Sequence, residues 1–154
     1  MNFIINLKSL IIILFILSIC LQAEDKIKFI NNITLLKKCN TCNKLKTIKI
    51  KAAFAQTPKE WQKGLMKVRK MKEKEGMLFI FNKEDYRVFW MKDTYIALDL
   101  IFLDKKLTII GIRENNQPMS EKNIYIKRKA QYILELNAGF VKKYKIMIGN
   151  FLKI

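Results

Sequence analysis

The sequence predicts an α+β domain: a compact, antiparallel β-rich fold with two short helices, preceded by a hydrophobic N-terminal leader. The chain has 154 residues, which suits one domain, and 51% of them are hydrophobic, which is enough to build a core. Several short runs rich in β-branched and aromatic residues are separated by turn residues, and only two segments carry helical signals. Many short strands with two small helices are typical of a sheet-based α+β domain.

Residues 1–23 form the hydrophobic leader. Lys8 is its only charged residue, and the apolar run that follows, ending at Ala23, is shorter than the roughly 20 residues of a membrane span. A basic residue, a short apolar run and a small residue are typical of a secretory signal peptide. Three outcomes stay open: cleavage after Ala23, lipidation of Cys20 as in bacterial lipoproteins, and retention as a membrane anchor. Each outcome predicts an extracytoplasmic domain, periplasmic or secreted.

Residues 24–46 form an N-terminal extension that fits either a hairpin or a tether. The extension contains one CxxC motif, Cys39-Asn40-Thr41-Cys42. In an exported protein, a local disulfide between Cys39 and Cys42 is the favoured state. A redox dithiol and a zinc site remain as alternatives, although no βαβ pattern surrounds the motif and no second CxxC accompanies it. The sequence therefore predicts no cofactor and no metal.

The first element of the domain proper is a strand followed by a helix. Ile48, Ile50 and Ala52 alternate with lysines, which predicts a half-buried strand. The sequence Thr57-Pro58-Lys59-Glu60 then predicts a helix start, because threonine can cap, proline suits the first turn, and glutamate can close a capping box.

The body of this helix is predicted from its apolar spacing. Trp61, Leu65 and Val68 fall near one helical face. Gly64 is expected inside the helix, where glycine lowers helix stability and indicates close packing against a neighbouring element.

The rest of the chain consists of short strands and a second helix. Apolar runs predict strands at 77–81, 87–91, 98–103, 107–113, 131–136 and 151–154. The sequence Asp104-Lys105-Lys106 predicts a hairpin turn. The amphipathic spacing of Phe140, Val141 and Tyr144 predicts the second helix.

Charge and composition exclude several functions. The net charge is +17, but 26 of the 30 basic residues are lysine, whereas arginine is the usual residue for bidentate phosphate contacts. Nucleic acid is therefore not the expected partner. The chain has no histidine, which excludes Ser-His-Asp nucleophiles and imidazole acid/base chemistry. It has 5 glycines and no glycine-rich phosphate loop.

The densest cluster of candidate ligand-binding residues is Phe89-Trp90-Met91-Lys92-Asp93-Thr94. On a strand, Trp90, Lys92 and Thr94 would share one face and present an indole, an ammonium and a hydroxyl group to a sugar or a carboxylate. The alternative is structural, with Trp90 in the core and Lys92 in an ion pair with Asp99 or Glu135.

Asp99 and Glu135 are carboxylates within otherwise apolar strands. Such groups must be paired or hydrogen-bonded, or their pKa values shift. If both faced one cleft, they would provide general acid/base chemistry such as glycoside cleavage requires, which makes them the weak catalytic candidates. The alternative is that each side chain points to a solvated face.

Five sequence blocks stand in the same order as in a known family. They are Gly64-Leu65-Met66, Gly76-Met77-Leu78-Phe79-Ile80-Phe81, Phe89-Trp90-Met91-Lys92-Asp93-Thr94, Leu98-Asp99-Leu100-Ile101-Phe102 and Leu134-Glu135-Leu136-Asn137-Ala138-Gly139. Together they resemble the DUF192 family of small bacterial and archaeal proteins, over about residues 47–154. The resemblance implies a β-rich α+β domain, often behind a signal peptide, whose biochemical function is not established.

Two positions depart from the family pattern, and a third residue, Asn137, is a further candidate for the site. The family motif usually has Asn where this chain has Asp93, and Arg where it has Val68, with Arg69 next. Asn137, in the last block, is added to Trp90 and its neighbours as a ligand-binding candidate.

These features predict an exported ligand-binding or accessory domain of the cell envelope, whose partner is a small molecule or an envelope component. Two alternatives remain, namely a carboxylate-dependent hydrolase and a basic surface protein that binds an anionic polymer or lipid. The N-terminal segment provides a route to membrane association. The sequence leaves the oligomeric state open.

Overall fold

The computed structural model describes residues 27–38 and 45–154. The predicted α+β class is confirmed: a seven-stranded sheet carries two short helices and a separate two-stranded sheet. The strands are β1 (Asn31–Lys38), β2 (Leu45–Ala55), β3 (Glu75–Asp85), β4 (Val88–Phe89), β5 (Leu98–Leu103), β6 (Ile109–Asn116), β7 (Ile124–Tyr125), β8 (Ala130–Asn137) and β9 (Phe151–Lys153). The helices are α1 (Pro58–Lys63) and α2 (Phe140–Tyr144).

The large sheet has the strand order β6-β5-β8-β3-β2-β1-β9, and β4 pairs with β7 in the small sheet. All neighbouring strands run antiparallel except β2 and β3, which run parallel. The connection between β2 and β3 contains α1, which is the kind of crossover that parallel neighbours require. The sheet is therefore mixed rather than purely antiparallel.

The two edges of the large sheet meet. Thr108, just before β6, forms a bridge with Phe151 of β9, and the Leu152 N–H donates to Leu107 at 2.9 Å. The Ile109 N–H donates to Asn150 at 2.8 Å. These contacts cover edges that would otherwise present unpaired backbone groups.

Alternating residues of the central strands fill two separate cores. We call the side covered by α1, β4 and β7 the α1 face; it includes Phe79, Leu100 and Ile133. We call the other side, covered by α2, the α2 face; it includes Ile101 and Leu134. Because both faces are covered, every residue of β5 is buried. A polar residue on a central strand therefore enters one core or the other.

The N-terminal extension contributes a strand to the sheet. β1 pairs antiparallel with β2, with Ile33 opposite Ile50, so this part of the extension is a strand of the sheet and neither a hairpin of its own nor a tether. The predicted disulfide between Cys39 and Cys42 and the leader with Cys20 lie outside the described residues. Within the described ranges, no helix is long and apolar enough to cross a membrane.

Helix α1 begins as predicted but ends earlier. The Glu60 N–H donates to Thr57 Oγ1 at 3.3 Å, and Glu60 Oε2 accepts the Thr57 N–H at 2.9 Å, which completes the capping box. The prediction that Gly64 lies inside the helix is wrong: the helix ends at Lys63, and Gly64 has φ +44°. A Cβ atom at this glycine would lie 3.2 Å from the Phe79 ring, so the predicted close packing is present.

Trp61 joins α1 to the sheet, and its truncation should cost much more stability than loss of the cap. Its indole N–H donates to the Ala55 carbonyl at 3.0 Å, and its ring centroid lies 4.8 Å from that of Phe81. We expect Trp61→Ala to lower the free energy of unfolding by about 3 kcal/mol and Thr57→Ala by about 1 kcal/mol, measured by denaturant titration. Equal losses would contradict this packing.

Candidate functional site

The segment after β4 is a turn and not the continuous strand that the sequence predicted for 87–91. β4 ends at Phe89, the Met91 N–H donates to Ser120 at 2.8 Å, and the Thr94 N–H donates to Met91 at 3.1 Å. Asp93 has φ +52°, a left-handed conformation that Asn and Asp adopt more readily than most residues. The turn interrupts strand alternation.

A cavity of about 380 Å³, which we call the Glu135 cavity, lies between α1, the segment after β3 and β8. Trp90, Lys92 and Thr94 line it together with Glu135, although they reach it from a turn. Asp93 does not line it. The remaining lining residues are Trp61, Gln62, Lys63, Gly64, Leu65, Met66, Phe79, Phe81, Tyr86, Arg87, Val88 and Phe89.

Glu135 is the unusual group of this cavity. It lies in β8 between Met77 of β3 and Leu100 of β5, and only 4% of its surface is exposed. Its Oε2 atom is buried and has no hydrogen-bond partner among the described residues. Burial raises the pKa of the Glu135 carboxyl to about 8. At neutral pH the group is therefore mostly protonated, with an O–H donor and free acceptor capacity at the cavity wall.

Trp90 and Lys92 lie at the accessible side of the site. Trp90 is 46% exposed and therefore is not a core residue. The Lys92 ammonium lies 5.3 Å from the Trp90 ring centroid and 3.8 Å from Glu121 Oε1. The predicted structural ion pair of Lys92 with Asp99 or Glu135 is not formed; the observed one with Glu121 joins two solvent-accessible groups, so its contribution to stability is small. The buried Thr94 hydroxyl donates to the Lys92 carbonyl at 3.2 Å.

Asp99 and Glu135 occupy opposite faces of the sheet. Asp99 is fully buried on the α2 face, where its carboxyl oxygens accept the Asn115 N–H at 2.8 Å and the Val141 N–H at 2.9 Å. Glu135 points to the α1 face. The two carboxyl groups do not share a cleft, so the structure does not form the arrangement needed for paired acid/base chemistry.

Asn137 also makes structural contacts. Its side-chain amide donates to the carbonyls of Met71 and Lys72 at 3.2 and 2.9 Å, which ties the end of β8 to the segment before β3. Asn137 does not line the Glu135 cavity.

A second, larger depression adjoins the Glu135 cavity. We call it the basic groove; its volume is about 1060 Å³, and it shares Gln62, Lys63, Met66, Trp90 and Lys92 with the cavity. Its lining residues are Ile27, Phe29, Lys59, Gln62, Lys63, Met66, Lys67, Val68, Arg69, Lys70, Trp90, Lys92 and Asp93. Six of these carry positive charge, and Asp93 is the only carboxylate. The sequence does not predict this groove, because three separate chain segments form it.

Within the described part of the chain, no cluster of three or more His, Cys, Asp or Glu residues is arranged to hold a metal ion. The polar groups that line the Glu135 cavity include the Glu135 carboxyl, the Trp90 indole, the hydroxyl groups of Tyr86 and Thr94, and the cationic groups of Lys63, Arg87 and Lys92.

The comparisons with known proteins agree with this fold. The DUF192 family, described as Uncharacterized ACR, matches residues 40–154. A candidate transcription regulator from Sinorhizobium meliloti 1021 is 32% identical, with a TM-score of 0.74 over 83% of this chain and 96% of that one. A protein of unknown function from Novosphingobium aromaticivorans DSM 12444 is 27% identical, with a TM-score of 0.74 over 81% of this chain and 85% of that one. No curated protein gave a significant match.

The chain belongs to the DUF192 family, as its ordered sequence blocks predicted. The two departures from the family pattern line the basic groove. Val68 packs against the core of the α1 face, while Arg69 lies over the Tyr95 ring, 5.1 Å from its centroid. Asp93 occupies the left-handed turn position.

Proposed function

We propose that this chain is an exported ligand-binding domain of the cell envelope, and that its ligand enters the Glu135 cavity beside Trp90. The observation that carries the proposal is that Glu135 lines this cavity while its buried Oε2 atom has no hydrogen-bond partner among the described residues. A buried polar atom without a partner costs free energy, and a ligand hydroxyl or carbonyl group would supply the missing hydrogen bond.

The chemistry of the cavity favours a sugar-like ligand. A protonated carboxyl both donates and accepts, and the exposed indole of Trp90 offers a flat apolar surface to one side of a ring. The volume of about 380 Å³ lies within the range of small-molecule sites. Phe79, Phe81 and Phe89 supply the apolar part of the lining.

Location is the second part of the proposal. The apolar leader supports export in each of its three readings, so the ligand is expected outside the cytoplasm. A role in transcription, which the description of the Sinorhizobium protein indicates for that protein, would require this domain to stay in the cytoplasm. Fractionation that finds the full chain in the soluble cytoplasm would contradict the export proposal.

A ligand panel tests the binding proposal. We expect glucose, N-acetylglucosamine or galacturonate to raise the melting temperature of the full chain, by roughly 8 °C at a concentration near 100 times Kd. Glu135→Leu removes the hydrogen-bonding group and Trp90→Ala removes the stacking surface, so both should abolish the shift while the variants remain folded.

Tyr125→Ala is the matched control, because Tyr125 is 48% exposed, much like Trp90, and does not line the Glu135 cavity. This variant should keep the full ligand-induced shift. A panel that leaves the melting temperature unchanged, or a shift that Glu135→Leu retains, would contradict the proposed site.

A further inference from the structure

Three lysines of the basic groove carry positive charge that no carboxylate of the described residues neutralises. Lys59, Lys67 and Lys70 are exposed in its lining, and none of them has a carboxylate within ion-pair distance among the described residues. Like charges that share one groove repel each other, and an anionic ligand would relieve this repulsion.

The groove also has an apolar side. Ile27, Phe29, Met66 and Val68 line it together with the half-exposed Trp90. A surface that combines cations with aliphatic and aromatic side chains suits an amphiphilic anion better than a small inorganic one.

The chain enters the domain at this same groove. Ile27 and Phe29 line it, and only Glu24, Asp25 and Lys26 separate Ile27 from the apolar leader in sequence. Four peptide units from Ala23 to Ile27 span at most about 14 Å, and seven from Cys20 span at most about 25 Å. A retained or lipidated leader would therefore hold the groove close to the surface of the membrane.

We infer that the basic groove binds the headgroup of an anionic phospholipid at the membrane where the leader ends. The phosphate would interact with Lys59, Lys67 and Lys70, and the first acyl carbons would contact the apolar lining. This inference uses the export of the chain but not the ligand of the Glu135 cavity.

Two soluble short-chain lipids test the inference on the full chain in a neutral maltoside detergent. Dihexanoyl phosphatidylglycerol and dihexanoyl phosphatidylcholine have the same acyl chains and differ in headgroup charge. We expect the glycerol lipid to raise the melting temperature about 4 °C more than the choline lipid, and salt to reduce this difference. No difference between the two lipids would overturn the inference.

Two variants of equal net charge separate the groove from general attraction to a basic protein. The triple change Lys59→Gln, Lys67→Gln and Lys70→Gln should abolish the preference for the glycerol lipid. The triple change Lys105→Gln, Lys106→Gln and Lys142→Gln, at exposed sites outside the groove, should keep it. Equal losses in both would overturn the inference. If the first triple variant does not fold, Lys70→Gln alone should reduce the preference.

Two further measurements identify the source of the anion and separate this site from the cavity. Glycerol 3-phosphate that gives the same shift as the lipid would assign the groove to a soluble anion and would overturn the membrane assignment. Glu135→Leu should retain the preference for the glycerol lipid, so the failure of either proposal can be recognised without the other.

Discussion

Replacing Glu135 by glutamine is expected to make the protein more stable at high pH. Burial raises the pKa of this carboxyl to about 8 in the folded chain, from the ordinary glutamate value of 4.5. At a pH between these two pKa values, the Glu135 carboxyl loses its proton in the unfolded chain and keeps it in the folded chain. The free energy of unfolding therefore falls as the pH rises through this range. A shift of this size corresponds to a loss of at most about 5 kcal/mol, which accumulates between about pH 4.5 and pH 8.

Glutamine stays neutral and has nearly the same shape, so Glu135→Gln should remove this pH dependence. We expect parent and variant to have similar unfolding free energies near pH 4 and to diverge progressively toward pH 9, measured by denaturant titration. The ionisable groups that share the cavity, namely Lys63, Tyr86, Arg87 and Lys92, are unchanged in the variant.

Glu114→Gln is the control for the loss of one acidic side chain, because Glu114 is exposed on β6. It should not reproduce the gain at high pH. A Glu135→Gln variant that is less stable than the parent at every pH would mean that the carboxyl is ionised and paired in the folded protein, and the proposed neutral group would then be wrong.

Short-range sequence patterns predicted those secondary-structure elements that neighbouring residues in the chain determine. The capping box identified the start of α1 at Thr57, and the apolar run 98–103 predicted the same bounds that β5 has in the structure. The sequence does not predict the end of α1 at Lys63, because a glycine is compatible with a position inside a helix as well as with its end. The positive φ of Gly64 and its contact with Phe79, which is remote in sequence, end the helix there.

Whether Asp99 and Glu135 share one site depends on the register between β5 and β8, which a single sequence does not show. In the pairing of β5 with β8, Asp99 lies opposite Leu136 and Leu100 lies opposite Glu135. Paired residues share a face of the sheet, so this register sends the two carboxyl groups into different cores. A shift of one residue would have placed them together, and nothing in the apolar pattern of either strand distinguishes the two cases.

Strand alternation predicts that Trp90, Lys92 and Thr94 share one face of a strand. In the structure they line one cavity, but they reach it from a turn. The family motif was informative here although the assumed geometry was wrong. The basic groove could not be predicted in this way, because its lining comes from Ile27 and Phe29, from α1 with the segment that follows it, and from the turn after β4. Only the fold brings these three segments together.

Replacing Asp99 by alanine is the second change with a large expected effect, and here stability is lost. The Asp99 carboxyl accepts the backbone N–H of Asn115 from β6 and that of Val141 from α2, in a fully buried position. Alanine would leave the buried Val141 N–H without a partner inside the protein, whereas the Asn115 N–H is only partly buried. A buried donor left unpaired costs roughly 1–3 kcal/mol and the lost hydrogen bond to Asn115 adds about 1 kcal/mol, so we expect Asp99→Ala to lower the free energy of unfolding by about 3 kcal/mol.

Asp104→Ala is the matched control, because Asp104 also accepts two backbone N–H groups, from Lys106 and Thr108, both at 2.9 Å. These donors belong to the turn between β5 and β6, where water can replace the carboxyl, so the expected loss is about 1 kcal/mol. Asp99→Ala should also leave sugar binding in the Glu135 cavity intact in the folded fraction, since the two carboxyl groups lie on opposite faces. If a folded Asp99→Ala variant with the stability of the parent lost sugar binding, Asp99 would belong to the site. That result would contradict the assignment of the two carboxyl groups to separate roles.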